Sequence, residues 1–129
     1  MCGINGIYQF SGLKVERSHV AEMNDSLKHR GPDAKGEFRD DFVHLGHQRL
    51  SIIDLDQRSN QPFVSDDGKH VLVFNGEIYN YQEIKAKLPN FNFRTNSDTE
   101  VVLAAYLEWG ENCLRMFNGM FAFCDLESG

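Results

Sequence analysis

Cysteine is scarce in this sequence. Cys2, Cys113 and Cys124 are an odd number with no CxxC pair, which argues against a disulfide framework and a zinc site and leaves at least one free thiol. Clustered basic charge is lacking too. Thirteen Lys and Arg stand against nineteen Asp and Glu, for a net charge of −6. With no cationic stripe to follow a phosphate backbone, nucleic acid is not an expected partner. No stretch approaches the roughly 20 apolar residues of a membrane span, and the N-terminus lacks the basic and apolar regions of a signal peptide. The expected location is therefore cytoplasmic, without membrane contact. Repeats and low-complexity linkers are missing as well. The 129 residues, 41% hydrophobic and 12% aromatic, suit one domain with one core.

What is present reads as short strands and helices. Residues 4–10 form a glycine-containing strand. Over residues 18–30, Val20, Met23 and Leu27 recur at helical spacing, and Gly31-Pro32 stops the helix. Residues 42–53 alternate as a strand that sets His47, Arg49, Ser51 and Ile53 on one face and Leu50 and Ile52 on the other. The run HVLVFN (70–75) is a second strand, paired through the turn Asp66-Asp67-Gly68 with what precedes it. Asn80 with Glu83, and Ser97 with Glu100, have the spacing of helix-capping pairs. Pro89 ends the first of these helices and Gly110 the second. MFAFCDL (120–126) is a buried strand. The pattern is an α+β one, a mixed sheet packed against helices.

The chemistry lies in the polar residues that interrupt these patterns. Removal of Met1 would leave the Cys2 thiol beside its own α-amine, a nucleophile and a base in one residue. An α-amine titrates near ~7.7–8.0 and can take the thiol proton and return it to a leaving group. The bland alternative is an ordinary cysteine at a frayed end. Asn75-Gly76 reads either as a hairpin turn or as an oxyanion hole built from an amide side chain and a backbone N–H. Arg49 lies among apolar residues, as an edge decoration or as a buried clamp that needs a carboxylate. Asp98, at the first helical position after Ser97, is favoured there by the helix dipole alone. The five histidines show no arrangement for catalysis or metal binding, and Cys113 and Cys124 read as core fillers.

Taken together, CGINGIY (2–8), HRGPD (29–33), LGHQRLSIID (45–54), FNGEIYNY (74–81), SDTEVVLAAY (97–106) and FNGMFAF (117–123) closely resemble the glutaminase domain of the asparagine synthase family. That domain is a class II (type-2) glutamine amidotransferase and an N-terminal nucleophile hydrolase. The likeness runs in order over nearly the whole chain. It implies that Cys2 attacks the side-chain amide of glutamine and that Asn75 and Gly76 form the oxyanion hole. It also implies that Arg49 clamps the substrate α-carboxylate, that Asp98 pairs with the α-ammonium, and that Glu77 and the Ile53 backbone make further contacts. Gly3 and Gly6 would allow close backbone approach. The implied fold is a four-layer αββα sandwich of two antiparallel sheets between helices.

Members of that family continue for several more strands and then add a synthetase domain that binds ATP and magnesium and receives ammonia. No SGGxDS pyrophosphate loop occurs here. The expectation is thus a type-2 amidotransferase domain over residues 1–129, incomplete at its C-terminus and lacking its synthetase partner. It needs no cofactor or metal of its own, takes glutamine as substrate, and forms a homodimer, if any, in the longer protein. Two other readings share these residues: an amidotransferase serving a different acceptor such as a sugar or another carboxylate, and a glutamine-binding module that does not use Cys2.

Overall fold

The computed structural model describes residues 1–128. Within them β1 (Gly3–Tyr8), α1 (Arg17–Ser26), β2 (Ala34–Arg39), β3 (Val43–Arg49), β4 (Phe63–Val64), β5 (His70–Ile78), α2 (Tyr81–Ala86), α3 (Asp98–Trp109) and β6 (Gly119–Glu127) follow in order. Short 3-10 turns lie at Gln57–Ser59 and Gly110–Arg115. The strands form two three-stranded antiparallel sheets, ordered β1-β3-β2 and β4-β5-β6. No described helix is long and apolar enough to cross a membrane.

All seven residues of β3 are buried, because the strand is central in its sheet and covered on both faces. Val43 and Leu45 point to the second sheet, where they pack with Val71 and Val73 of β5. The alternate positions face α1. Gln48 donates to the Asn24 carbonyl of α1 at 3.0 Å, and a Cβ on Gly46 would meet the Asn24 side chain at 2.5 Å. The other face of β5 offers Leu72, Phe74 and Ile78 to a second core that includes Val101, Leu103 and Ala105 of α3 and Ile84 of α2. Each fully buried aliphatic side chain there contributes about 1.5–3 kcal/mol of transfer free energy.

Several expectations hold. Ser97 caps α3 by accepting from the Glu100 N–H, and Gly110 ends that helix at a φ of 57°, a left-handed value at which a side chain is strained. The Glu100 carboxylate does not return to the Ser97 N–H. It accepts instead from the Arg94 and Thr95 N–H groups at 2.9 and 2.7 Å. Other expectations are corrected. The strand expected over residues 42–53 stops at Arg49, because both neighbours run out there: Gln48 faces Gly3, and Arg49 faces Ala34, the first residue of β2. Asn80 makes no cap with its helix; its side chain donates to the Met116 carbonyl and accepts from the Asn118 N–H, both at 2.9 Å. β2 has a strand's alternating burial but belongs to a polar, charged stretch, AKGEFR, which carries too little apolar signal to stand out. Cys113 is a core filler. Cys124 is not, since it is exposed on β6.

Candidate active site

A cavity of about 110 Å³ opens where the two sheets meet, and Cys2, Arg49, Ile53, Asn75, Gly76, Glu77 and Asp98 all line it. Every site residue read from the sequence is therefore in one place, although they come from the residue ahead of β1, the end of β3, the loop after it, the end of β5 and the start of α3.

Cys2 sits just ahead of β1 and is half-buried. Its Sγ accepts from the Leu50 N–H at 3.3 Å, and its carbonyl accepts from Arg30 Nε at 3.1 Å. The HRGPD segment thus wraps the cysteine. Asp33 in the same segment accepts from the Ser51 N–H at 2.7 Å, and its own N–H donates to the Arg49 carbonyl at 2.9 Å. Gly31 is required for this close approach, since a Cβ there would lie 2.3 Å from the Gln48 carbonyl oxygen. With the Leu50 and Ser51 donors taken by Cys2 and Asp33, the chain leaves the sheet and puts Ile52 and Ile53 on the exposed rim.

Arg49 is only 6% exposed. Its Nη1 donates to the Asp56 carbonyl at 3.0 Å and to Asn60 Oδ1 at 2.7 Å, and its Nη2 donates to the Asp54 carbonyl. These acceptors are neutral, and Arg49 makes no ion pair among the described residues, so no carboxylate of the protein itself neutralises it. Asp54 organises the same loop, accepting from the Ser59 hydroxyl and the Asn96 N–H, both at 2.9 Å.

Asp98 mirrors this arrangement. It is also 6% exposed, and its Oδ2 accepts from the Ile78 N–H at 3.0 Å. No described cation pairs with it. Burial raises its pKa above the usual carboxylate value. Three backbone N–H groups oppose the shift, and the negative charge of Glu77 adds to it. A buried cation and a buried anion, neither with a charged partner, face one cavity. Buried charges without partners are costly, and a zwitterionic ligand relieves both.

Asn75-Gly76 is not a turn, because β5 runs through it to Ile78. Gly76 is needed for packing against β6, where a Cβ would lie 2.2 Å from the Met120 carbonyl oxygen and 2.6 Å from the Phe121 Cα. Strand N–H groups alternate between edges. On one edge the Phe74 N–H is taken by Gln61 and the Ile78 N–H by Asp98. Gly76, midway between them, turns its N–H to that same edge, which here borders the cavity. The Asn75 Oδ1 is buried with no hydrogen-bond partner.

Sequence reading passed over Asp54, Asn60 and Gln61. Each acts through a hydrogen bond to a residue distant in sequence or to backbone, for which no local pattern exists. No group of three or more His, Cys, Asp or Glu side chains among the described residues is placed to hold a metal ion.

Two antiparallel sheets thus enclose a cysteine-bearing cavity with one buried cation and one buried anion on its walls. The chain belongs to the glutamine amidotransferase domain family, whose model matches residues 1–128. It is 43% identical, over 96% of its length, to a putative glutamine-hydrolyzing asparagine synthetase 2 of Methanocaldococcus jannaschii, of which it spans 27%. It is 43% identical over 99% of its length to the glutamine-hydrolyzing asparagine synthetase of Triphysaria versicolor, spanning 22% of that protein. It is 41% identical over 95% of its length to glutamine-hydrolyzing asparagine synthetase 1 of Bacillus subtilis, spanning 20% of it. The chain thus covers between a fifth and just over a quarter of these relatives.

Proposed function

We propose that this domain hydrolyses glutamine to glutamate and ammonia with Cys2 as an N-terminal nucleophile. The observation that carries the reading is the convergence of Cys2, Asn75-Gly76, Arg49 and Asp98 on one cavity, with the two charges buried and ionically unpaired. Met1 is first removed. The freed α-amine of Cys2 accepts the thiol proton as Sγ attacks Cδ of the glutamine side chain. The carbonyl oxygen becomes an oxyanion that receives hydrogen bonds from the Asn75 amide and the Gly76 N–H. The α-amine returns the proton to the leaving nitrogen, the C–N bond breaks, and ammonia departs from a thioester. Water, deprotonated by the same amine, then attacks the thioester and releases glutamate and the thiol.

Arg49, already tied to the 54–60 loop, presents its remaining N–H groups to the α-carboxylate. Asp98 accepts from the α-ammonium, with Glu77 at the rim and the Ile53 backbone adding contacts. The two charges lie at fixed positions, so they select for both ends of an amino acid and set the distance to its side-chain amide.

The names of the relatives and their greater length support a wider role. In this reading the ammonia serves ATP-dependent asparagine synthesis in a C-terminal synthetase domain, where ATP and magnesium act. The pairing of the two sheets, with α1 on one and α2 and α3 on the other, supports the αββα sandwich as the architecture of the complete domain.

The test is ammonia release from glutamine by protein whose intact mass shows loss of Met1, alongside Cys2→Ala. Release is expected from the parent protein and at least about 10⁴-fold less from Cys2→Ala, in line with removal of a catalytic nucleophile. Equal rates would end the reading. Labelling of Cys2 by a chloroketone analogue of glutamine, blocked by excess glutamine, tests the grip separately from turnover.

A further inference from the structure

An inner strand satisfies its N–H and C=O groups on both sides through neighbouring strands. β5 has β6 along its whole length, from His70 facing Glu127 to Ile78 facing Gly119. On the other side β4 covers only Val71 and Leu72. Beyond β4, buried side chains take the place of a strand: Asp98 at Ile78, and two more at Phe74. Gln61 Oε1 accepts from the Phe74 N–H at 2.6 Å, and His47 Nε2 lies 3.0 Å from the Phe74 carbonyl oxygen. Gln61 passes the contact on to α3, donating through Nε2 to Thr99 Oγ1 at 3.3 Å.

His47 is fully buried, and its Nδ1 has no partner among the described residues. That decides the tautomer. A proton on Nε2 makes the bond to Phe74. A proton on Nδ1 would set a lone pair against the carbonyl and bury an unpaired N–H. Charging the ring would bury the same orphan donor. Burial lowers the His47 pKa to about 4, with the nearby Arg49 charge pushing in the same direction against the Phe74 bond. The ring is neutral throughout the physiological range. It lies two residues before Arg49 on β3 and touches the residue immediately before Asn75 on β5. A single hydrogen bond therefore ties the strand with the carboxylate clamp to the strand with the oxyanion donors, where the inter-sheet apolar packing of Val43, Leu45, Val71 and Val73 gives out.

We propose that His47 is a positioning residue for glutamine hydrolysis, an Nε2–H donor to the Phe74 carbonyl that, with Gln61, aims the Asn75 amide and the Gly76 N–H at the reacting carbonyl. The inference rests on the glutaminase reading and adds a residue that touches no substrate. An apolar side chain at this position would leave the Phe74 carbonyl without this donor. What the ring supplies is direction, and donors displaced by a fraction of an ångström from a developing oxyanion lose much of their effect.

The test compares His47→Leu and His47→Gln with the parent protein and with Cys2→Ala, measuring kcat and KM for glutamine across pH. His47→Leu is expected to lower kcat by about 10- to 100-fold with KM changed by less than about threefold. His47→Gln, whose amide reaches the same carbonyl, should recover most of the rate with the parent's pH profile. A folded His47→Leu protein with kcat within about twofold of the parent overturns the proposal. So does a His47→Gln profile that has lost a limb near neutrality, which would make the ring a proton acceptor. If His47→Leu does not fold, ¹⁵N spectroscopy of the parent decides, with the proton expected on Nε2 from pH 5 to pH 8; a ring that titrates near ~6.5 overturns the assignment. Failure of the glutaminase reading looks different: parent and Cys2→Ala release ammonia at the same rate.

Discussion

At the residue scale the site is defined by two buried charges that have no ionic partners. Asp98 shows the consequence most directly, because burial raises its pKa. A carboxyl whose folded pKa lies above its unfolded value is more easily protonated in the fold, so its ionisation subtracts stability as pH rises through that interval. Asp98→Asn is therefore expected to be more stable than the parent at neutral pH, with the advantage shrinking in acid, as followed by thermal melts across pH. In the proposed mechanism the same substitution removes the partner of the substrate ammonium. It should raise KM for glutamine by about 10- to 100-fold, the worth of a charge-assisted hydrogen bond. In the parent, glutamine affinity should fall as pH drops through the Asp98 pKa, and in Asp98→Asn that acid limb should vanish. A limb that survives in the variant assigns the titration to another group.

At the scale of elements, what could be read in the sequence depended on whether the signal was local. The α3 cap was legible because Ser97 and Glu100 are three residues apart and bond through one helical turn. Ser97→Ala should cost about 1 kcal/mol in urea denaturation. Asn80 with Glu83 has the same spacing, yet the Asn80 amide joins residues 116 and 118 instead. Local spacing could not reveal a competitor from another element. Asn75-Gly76 is the sharper case. The dipeptide favours a turn, but the register with β6 keeps it extended and places the Met120 carbonyl against the missing Cβ of Gly76. Gly76→Ala should consequently destabilise the protein by about 1–3 kcal/mol through overpacking against backbone that cannot yield. An unchanged denaturation midpoint would show that β5 and β6 separate more easily than their pairing implies.

At the scale of the molecule, the cavity joins the two sheets. Cys2 and Arg49 come with the β1-β3-β2 sheet, while Asn75, Gly76 and Asp98 come with the β4-β5-β6 sheet and its helix. A ligand held by both halves links them and binds the folded state alone. In the Cys2→Ala background, which prevents turnover, glutamine at 100 times its dissociation constant should add about 2.7 kcal/mol of stability. The added stability should be lost in the Arg49→Ala, Cys2→Ala double variant, as read by the melting temperature at fixed protein concentration.

The identities of the chemical groups were determined by the sequence alone: a cysteine next to Met1, an Asn-Gly after an apolar strand, an arginine among apolar residues and an acid at a helix start. Residue type and local periodicity are one-dimensional properties, and so are the family motifs that tie these groups together. Tertiary structure alone decided that Arg49 is held by neutral oxygens, that β3 ends where its neighbours end, that Gly76 lines the cavity, and that His47 of one sheet reaches the Phe74 carbonyl of the other. Each of these depends on which groups lack a partner once the chain is folded, and a missing partner is a fact about space that no stretch of sequence encodes by itself.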